Sequence, residues 1–278
     1  MTSDISVFGG TGFIGGNFCS MYPESVKISR EDRTPKTKQV LYFISTIHNY
    51  NVFDKPFLDI DTNLRVLIET LEECKEKDVV FNFVSSWFVY GQTDTLPASE
   101  RTHCNPKGFY SITKRAAEQM LISYCETFDI KYRIFRLCNV YGTNATKVSV
   151  KRNALQHLTE EVVNNRDINL YNGGNDIRDF MHVDDVCRAI KLCMEKSELN
   201  DIINIGSGIP VKFGKVMEYV KTKVKSSSTF NSVDPPKFHK VVQVKDMYLD
   251  VSKLHSLGFK PEKDFWEQID NIIAGRFK

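Results

Sequence analysis

Apolar residues fall in short, β-rich runs that alternate with longer amphipathic stretches from the start of the chain. Ile5-Ser6-Val7-Phe8 reads as a first strand, followed by a glycine-rich turn and a short helix that must stop before Pro23. Val26 to Ser29 reads as a second strand and Val40 to Ser45 as a third. Leu64, Leu67, Ile68 and Leu71 share one face of a helix expected over 63–77. The unbroken run Val79 to Val84 suits a strand buried on both faces, and so does Tyr132 to Leu137; a helix over 110–128 separates them. Such alternation predicts an α/β fold, a mostly parallel sheet covered by helices. Beyond Gly142 the loops become more polar and the helices shorter, and Lys221 to Ser228 reads as a solvated helix end and turn. Residues 1–140 are therefore expected to form a nucleotide-binding domain. Residues 141–278 would form mainly a smaller lobe, with the strand near Ile202 to Ile205 returning to the main sheet.

Composition narrows the class. With 278 residues, 41% hydrophobic and 26% charged, the chain can bury a sizeable core and does not resemble a disordered one. Lys+Arg 37 against Asp+Glu 35 leaves a net charge of +2, too balanced to suggest nucleic acid or a membrane surface as partner. No apolar run approaches the ~20 residues of a membrane span, and Met1 to Ile5 carries no basic leader. The seven cysteines form no CxxC pair and no cluster with histidine, so buried thiols in a reducing, cytoplasmic setting are expected and a metal site is not.

Gly9-Gly10-Thr11-Gly12-Phe13-Ile14-Gly15 follows the first strand directly and opens a helix. The first glycines allow a tight turn, Gly12 lets the backbone approach a pyrophosphate, and Gly15 lets helix and strand pack closely. The helix start then offers free N–H groups to phosphate. No Gly-Lys-Ser/Thr follows, which argues against a P-loop. At the end of the second strand Ser29 and Arg30 suit the 2′-phosphate of NADP, while Glu31 or Asp32 just beyond could still grip the ribose of NAD. NADP(H) is the favoured cofactor and NAD(H) the alternative.

Tyr110-Ser111-Ile112-Thr113-Lys114 sets a phenol and an ammonium at i and i+4, on one helix face. A nearby ammonium favours the phenolate and makes proton exchange feasible near neutral pH. The preceding buried strand ends in Ser85-Ser86, at the carboxyl edge where ligands bind in parallel sheets.

In these motifs, taken in order over nearly the whole length, the chain resembles the extended short-chain dehydrogenase/reductase family of NAD(P)-dependent nucleotide-sugar epimerases, dehydratases and reductases. The glycine loop, Ser85-Ser86-Trp87-Phe88-Val89-Tyr90-Gly91 and the Tyr110/Lys114 pair carry the resemblance. So do Arg136 to Gly142, Arg178 to Asp185 and Asn204 to Gly208. The resemblance implies a Rossmann-type doubly wound sheet with a C-terminal substrate-binding lobe. It implies cofactor contacts from Gly9, Gly12, Phe13, Ile14, Gly15, Ser29, Arg30, Tyr110 and Lys114. Tyr110 would exchange a proton with a sugar oxygen, Lys114 would lower its pKa and bind the nicotinamide ribose, and Ser86 would bond the reacting oxygen. Asn139 and Arg178 would hold the diphosphate of a nucleoside-diphosphate sugar; the plainer alternatives are a loop cap for Asn139 and an ion pair with Asp179 for Arg178. Asp184 and Asp185 read as a helix cap and first turn, and His182 as structural. The resemblance also implies a homodimer through helices 63–77 and 110–128, with Ala116, Ala117, Met120, Leu121 and Tyr124 supplying apolar surface.

Three departures shape the expected reaction. Trp87 and Phe88 stand where the family's 4,6-dehydratases carry the Asp-Glu pair that removes water, so dehydratase activity is disfavoured; Trp87 would instead wall the sugar pocket or pack in the core. Only Arg30 to Gln39 separate the second strand from the third, so the edge strand and helix usual there are missing and the adenine pocket is trimmed. The usual arginine near the end of the substrate lobe is not evident, with His239, Lys240 or Lys245 as candidates to replace it. The leading expectation is an NADPH-dependent reductase of a 4-keto-6-deoxyhexose on a nucleoside diphosphate. The alternatives are a 4-epimerase with transient oxidation at C4 and, remotely, a non-catalytic NAD(P)-binding regulator.

Overall fold

The computed structural model describes residues 5–142 and 154–275. In chain order its strands begin β1 (Ile5–Phe8), β2 (Val26–Ile28), β3 (Gln39–Tyr42), β4 (Val80–Ser86) and β5 (Lys131–Leu137). They continue β6 (Asn139–Tyr141), β7 (Ile168–Tyr171), β8 (Ile177–Arg178), β9 (Phe180–His182) and β10 (Asp201–Ile205). The helices used below are α1 (Phe13–Met21), α2 (Asn51–Asp54), α3 (Leu58–Ile60), α4 (Val66–Glu72) and α5 (Phe109–Thr127). After them come α6 (Ala154–Val163), α7 (Val183–Lys196), α8 (Phe213–Val224) and α9 (Lys237–Val242).

Six strands form one wholly parallel sheet in the order β10-β5-β4-β3-β1-β2. Side chains alternate across each strand, so one face receives Val7, Leu41 and Ile203 and the other receives Phe8, Val40 and Tyr42. The first face packs on α1 and α7 through Phe18, Val183 and Ile190. The second packs on α4 and α5 through Leu67, Leu71, Ala117 and Leu121. This is the doubly wound arrangement expected from the alternation of elements, and β10 rejoins the main sheet beside β5, also as expected. A third cluster, with Tyr141, Leu155, Ile168, Phe180 and Met217, lies among elements after β5.

Among the described residues β2 is the edge strand, with no further strand outside it. The chain runs straight on to β3, and α4 holds the short connection: Arg33 Nε donates to Glu69 at 3.0 Å and Thr34 Oγ1 to Glu73 at 3.0 Å. An edge strand of three residues carrying an exposed lysine, Lys27, offers little for another chain to pair with.

Three local expectations are corrected. The helix expected over 63–77 is instead α3 joined to α4 through a π-helical turn, Asp61–Arg65, and it ends at Glu72. Of the residues from Glu73 to Lys77 only Cys74 is buried, so nothing amphipathic sustains another turn. The third strand stops at Tyr42 rather than Ser45. Lys221 to Ser228 is not a solvated turn throughout: Ser226 and Ser228 are buried, and Ser226 Oγ donates at 2.6 Å to the Val162 carbonyl at the end of α6.

Candidate active site

The glycine loop joins β1 to α1 in a turn that side chains would obstruct. Gly9 sits at φ +79°, and the Gly12 N–H donates to its carbonyl at 3.0 Å. A Cβ at Gly15 would lie 2.4 Å from the Gly9 oxygen, so close packing of helix on turn requires glycine there. Gly12 caps α1 without a side-chain hydrogen bond, and the first turn carries no acidic residue. Free N–H groups and a positive dipole end remain for an anion. Phe13 and Ile14 are half-buried against the core at the loop's rim. Ser29 and Arg30 are exposed beyond β2, whereas Asp32 is engaged by the Thr34 amide at 2.8 Å and Lys36 at 3.0 Å.

At the carboxyl end of β4 the two serines turn to different partners. Ser85 Oγ donates to Glu118 at 2.6 Å, inside the core. Ser86 caps the following turn, accepting from the Phe88 N–H at 3.4 Å, and its hydroxyl also acts on the Tyr110 phenol. Tyr110 lies in the first turn of α5, with its ring edge-on to Phe88 at 5.8 Å. Burial pushes its phenol up to about 12; the Ser86 and Ser45 hydroxyls pull it down, and the Asp59 charge pushes it up.

Lys114, one turn further along, is 2% exposed. Its Nζ donates to the Val84 carbonyl at 2.7 Å and lies 4.1 Å from the centre of the Phe83 ring. Burial pulls this lysine down to about 7, against the opposing pull of Glu118. Burial therefore opposes the lowering of the phenol by its lysine that the i, i+4 spacing implies. Desolvation acts on both groups and disfavours both charged forms. Below them Glu118 is clasped by Arg136, with Nε at 2.9 Å and Nη2 at 2.8 Å, and by Arg115 at 2.8 Å. This buried clasp fixes α5 to β4 and β5.

The substrate-side residues Asn139 and Arg178 lie on β6 and β8. The backbone and side-chain amides of Asn139 both donate to the Asp179 carbonyl at 3.0 Å. Arg178 does not pair with Asp179. It lies 3.5 Å from Asp176, donates at 2.6 Å to the Lys245 carbonyl, and sits 5.8 Å from the Trp87 ring centre. The Asp179 carboxylate is buried and taken by the Ser207 and Gly208 amides and the Leu249 amide. Trp87 is 3% exposed and stacked on Phe88 at 3.9 Å, so it belongs to the core beneath Arg178 rather than to an open pocket wall. The cap of α7 is His182, which accepts from the Asp184 amide at 3.2 Å; Asp184 and Asp185 follow in the first turn.

Of the suggested replacements for the missing arginine, Lys240 lies 3.6 Å from Asp234 at the surface. His239 of α9 is buried against Tyr50 and Tyr171, with Tyr50 Oη and its Nε2 2.6 Å apart. Lys245 meets Arg178 through its backbone. Sequence reasoning missed the half-buried Ser45 and the buried Thr46, Asp59 and Asn63, a polar group beside Tyr110. The signal was the Ser-Thr pair just beyond the end of β3, at the sheet's carboxyl edge.

The model of the NAD dependent epimerase/dehydratase family matches residues 33–206. A putative UDP-glucose 4-epimerase of Methanocaldococcus jannaschii is 27% identical over 238 residues, covering 84% of this chain and 75% of that protein. The crystal structure of UDP-glucose 4-epimerase from Thermotoga maritima with UDP-glucose superposes with a TM-score of 0.86 at 23% identity, over 98% of this chain and 97% of that one. The UDP-glucose 4-epimerase of Thermus thermophilus in complex with NAD gives a TM-score of 0.81 at 22% identity, over 98% of both chains. With the family model spanning more than half its length, the chain belongs to the NAD-dependent epimerase/dehydratase family, within the extended short-chain dehydrogenase/reductases that its motifs resemble.

Proposed function

We propose that the protein is a nucleotide-sugar 4-epimerase that works with bound NAD. The observation that carries this reading is the buried phenol of Tyr110 under the influence of the Ser86 hydroxyl at the carboxyl edge of the sheet. The glycine loop fits a dinucleotide, since its turn leaves no room for a Cβ at Gly15 and its helix start is uncapped. A bound nicotinamide would supply the hydride acceptor and donor. The loop amides would hold the cofactor diphosphate, with Phe13 and Ile14 at its rim, and Lys114 the nicotinamide ribose. Ser86 would orient the C4 oxygen while Tyr110 takes its proton and later returns it to the keto oxygen. Asn139 and Arg178 would hold the substrate diphosphate, the guanidinium supported from below by Trp87. The curated relative and the solved neighbours bear epimerase names, which favours this reading over a reductase.

The second reading, an NADPH-dependent 4-ketoreductase, draws on two observations. Ser29 and Arg30 are exposed where a 2′-phosphate would sit, and Tyr110 at about 12 keeps its proton, as an acid for a keto oxygen must. One experiment separates them. The purified protein is assayed for released dinucleotide and incubated with a panel of nucleotide sugars, with and without NADPH. An epimerase yields bound NAD and a C4 epimer without net cofactor consumption, and Tyr110→Phe abolishes the epimer while NAD stays bound. Stoichiometric NADPH oxidation by a protein carrying no dinucleotide would overturn the epimerase in favour of the reductase. An output independent of Tyr110 would point to a regulator.

A homodimer is part of the same proposal. Phe109, Ile112 and Met120 of α5 are exposed at helical spacing, and Phe57 and Ile60 expose a second apolar edge at α3. Ala117 and Leu121, expected on that surface, are buried in the chain's own core.

A further inference from the structure

The loop that follows β3 reaches the helix carrying Tyr110 through a residue the reaction scheme leaves unused. Asn49 of that loop is buried. Its Oδ1 accepts from the Ser111 backbone amide at 3.3 Å and from the Ser111 hydroxyl at 3.4 Å, and its Nδ2 donates to the Ser111 Oγ at 3.3 Å. Ser111 is the third residue of α5. The first amides of a helix have no partner within it, and a cap side chain ordinarily takes the amide at this position. The N-cap of α5 is Gly108, which makes no side-chain bond, and the first turn holds no acidic residue.

Asn49 stands where that missing side chain would be. A Cβ on Gly108 would overlap the Asn49 carboxamide, with Nδ2 2.7 Å away and Oδ1 and Cγ closer still. Gly108 itself sits at φ −95° and ψ 156°, an extended conformation that any residue adopts and that caps favour. Glycine is therefore required there by the approach of Asn49 and not by the backbone. Tyr110 lies between Gly108 and Ser111. Three residues further on, Thr113 Oγ1 donates to the Tyr110 carbonyl at 3.1 Å and accepts from Asn63 Nδ2 at 2.9 Å. Two asparagines from the segment between β3 and α4 thus clamp the turn on which the phenol is mounted. The loop is anchored on its far side as well: Tyr50 Oη lies 2.6 Å from Nε2 of His239 in α9, and the Tyr50 ring packs on Phe238 at 5.4 Å.

Resting on the reading of Tyr110 as the proton-exchanging group, we propose that Asn49 is a positioning residue for it, capping α5 from the loop after β3. A capped first turn holds the phenol at one distance from Ser86 and from the sugar oxygen. A frayed turn lets it swing, and a displacement of about 1 Å at a reacting group can cost a hundredfold in rate. A cap that served stability alone would leave turnover by the folded enzyme untouched.

The test moves the cap as well as removing it. Asn49→Ala should lower kcat about tenfold, with KM for the nucleotide sugar that turns over nearly unchanged, when assayed with dinucleotide bound and well below the unfolding temperature. Asn49→Ala/Gly108→Ser gives the helix a cap of its own in the space the carboxamide vacates, and should restore most of the lost kcat. Hydrogen exchange over residues 109–113 should follow the same course without turnover: fast in the single variant, slow in the wild type and in the double variant. If Asn49→Ala does not fold, the double variant carries the test alone, since it should fold and turn over. An unchanged kcat in the single variant, or a folded double variant that does not regain it, would overturn the proposal and leave Asn49 a residue of the fold alone. Full turnover in Tyr110→Phe would instead sink the functional reading, while hydrogen exchange would still report whether Asn49 caps the helix.

Discussion

Replacing Lys114 by methionine should stabilise the protein while removing its activity. The side chain is 2% exposed, and its ammonium has one hydrogen bond, to the Val84 carbonyl at 2.7 Å, and one aromatic face, Phe83 at 4.1 Å. Burial carries the group from the ordinary lysine value of 10.5 to about 7. That gap corresponds to roughly 4–5 kcal/mol against the charged form. Methionine loses the charged hydrogen bond, about 1.5 kcal/mol, and the cation–π contact, about 1 kcal/mol, but keeps most of the volume. The net gain near neutral pH is then on the order of 2 kcal/mol, or roughly 4–8 °C in Tm for a domain of this size.

The sign with pH is the sharper test. Between about pH 7 and pH 10 the unfolded chain still binds a proton on this lysine that the folded chain has shed, so wild-type stability rises with pH across that window. The burial penalty is fully present only below about pH 7, so the advantage of Lys114→Met should shrink by about half on going from pH 7 to about pH 9. Thermal unfolding followed by circular dichroism at a series of pH values reads this directly. A variant less stable than wild type at neutral pH, or one whose advantage does not change with pH, would refute the reasoning.

Gly15→Ala forces a Cβ to within 2.4 Å of the Gly9 carbonyl oxygen, which is backbone and has nowhere to move. It should lower unfolding free energy by about 1–3 kcal/mol and weaken dinucleotide binding at least about tenfold, since loop and helix start must shift together; unchanged affinity by calorimetry would count against the loop as the cofactor cradle. Light scattering should give a dimer for the wild type and a monomer for Met120→Glu, whose charge falls in the exposed stripe of α5. A wild-type monomer removes the dimer claim.

What could be read in the sequence was what short-range geometry dictates. The Gly9–Gly15 loop, the i, i+4 pair of Tyr110 and Lys114 and the hydroxyls ending β4 each need only a turn or one helix face to become visible. The lost edge strand was legible too, because ten residues between two strands cannot hold another strand and a helix. Ser45, Thr46, Asp59 and Asn63 escaped notice because their meeting depends on how α3 and its π-helical turn lie on α5. Asp59 lies in a stretch with exposed Leu58 and Ile60 on either side, and only packing buries it. Trp87 was ambiguous for a similar reason. A position next to Ser86 fits pocket or core equally well, and the 3₁₀ turn after β4 sends the indole inward.

The same residues show how burial opposes what the spacing implies for the lysine. Spacing alone puts an ammonium one turn from a phenol, and in water that would stabilise the phenolate. In the folded chain both groups are desolvated, and the ammonium finds the Val84 carbonyl. Each of these features is unfavourable for stability and none is needed to close the core, which Leu67, Leu71, Ala117 and Leu121 fill on that face. Polar groups kept dry around one hydroxyl are what a site for proton exchange requires, since only there do small changes in charge move a proton decisively. If Lys114→Met proves more stable but inactive, the strain at this corner of the sheet belongs to the reaction rather than to the fold.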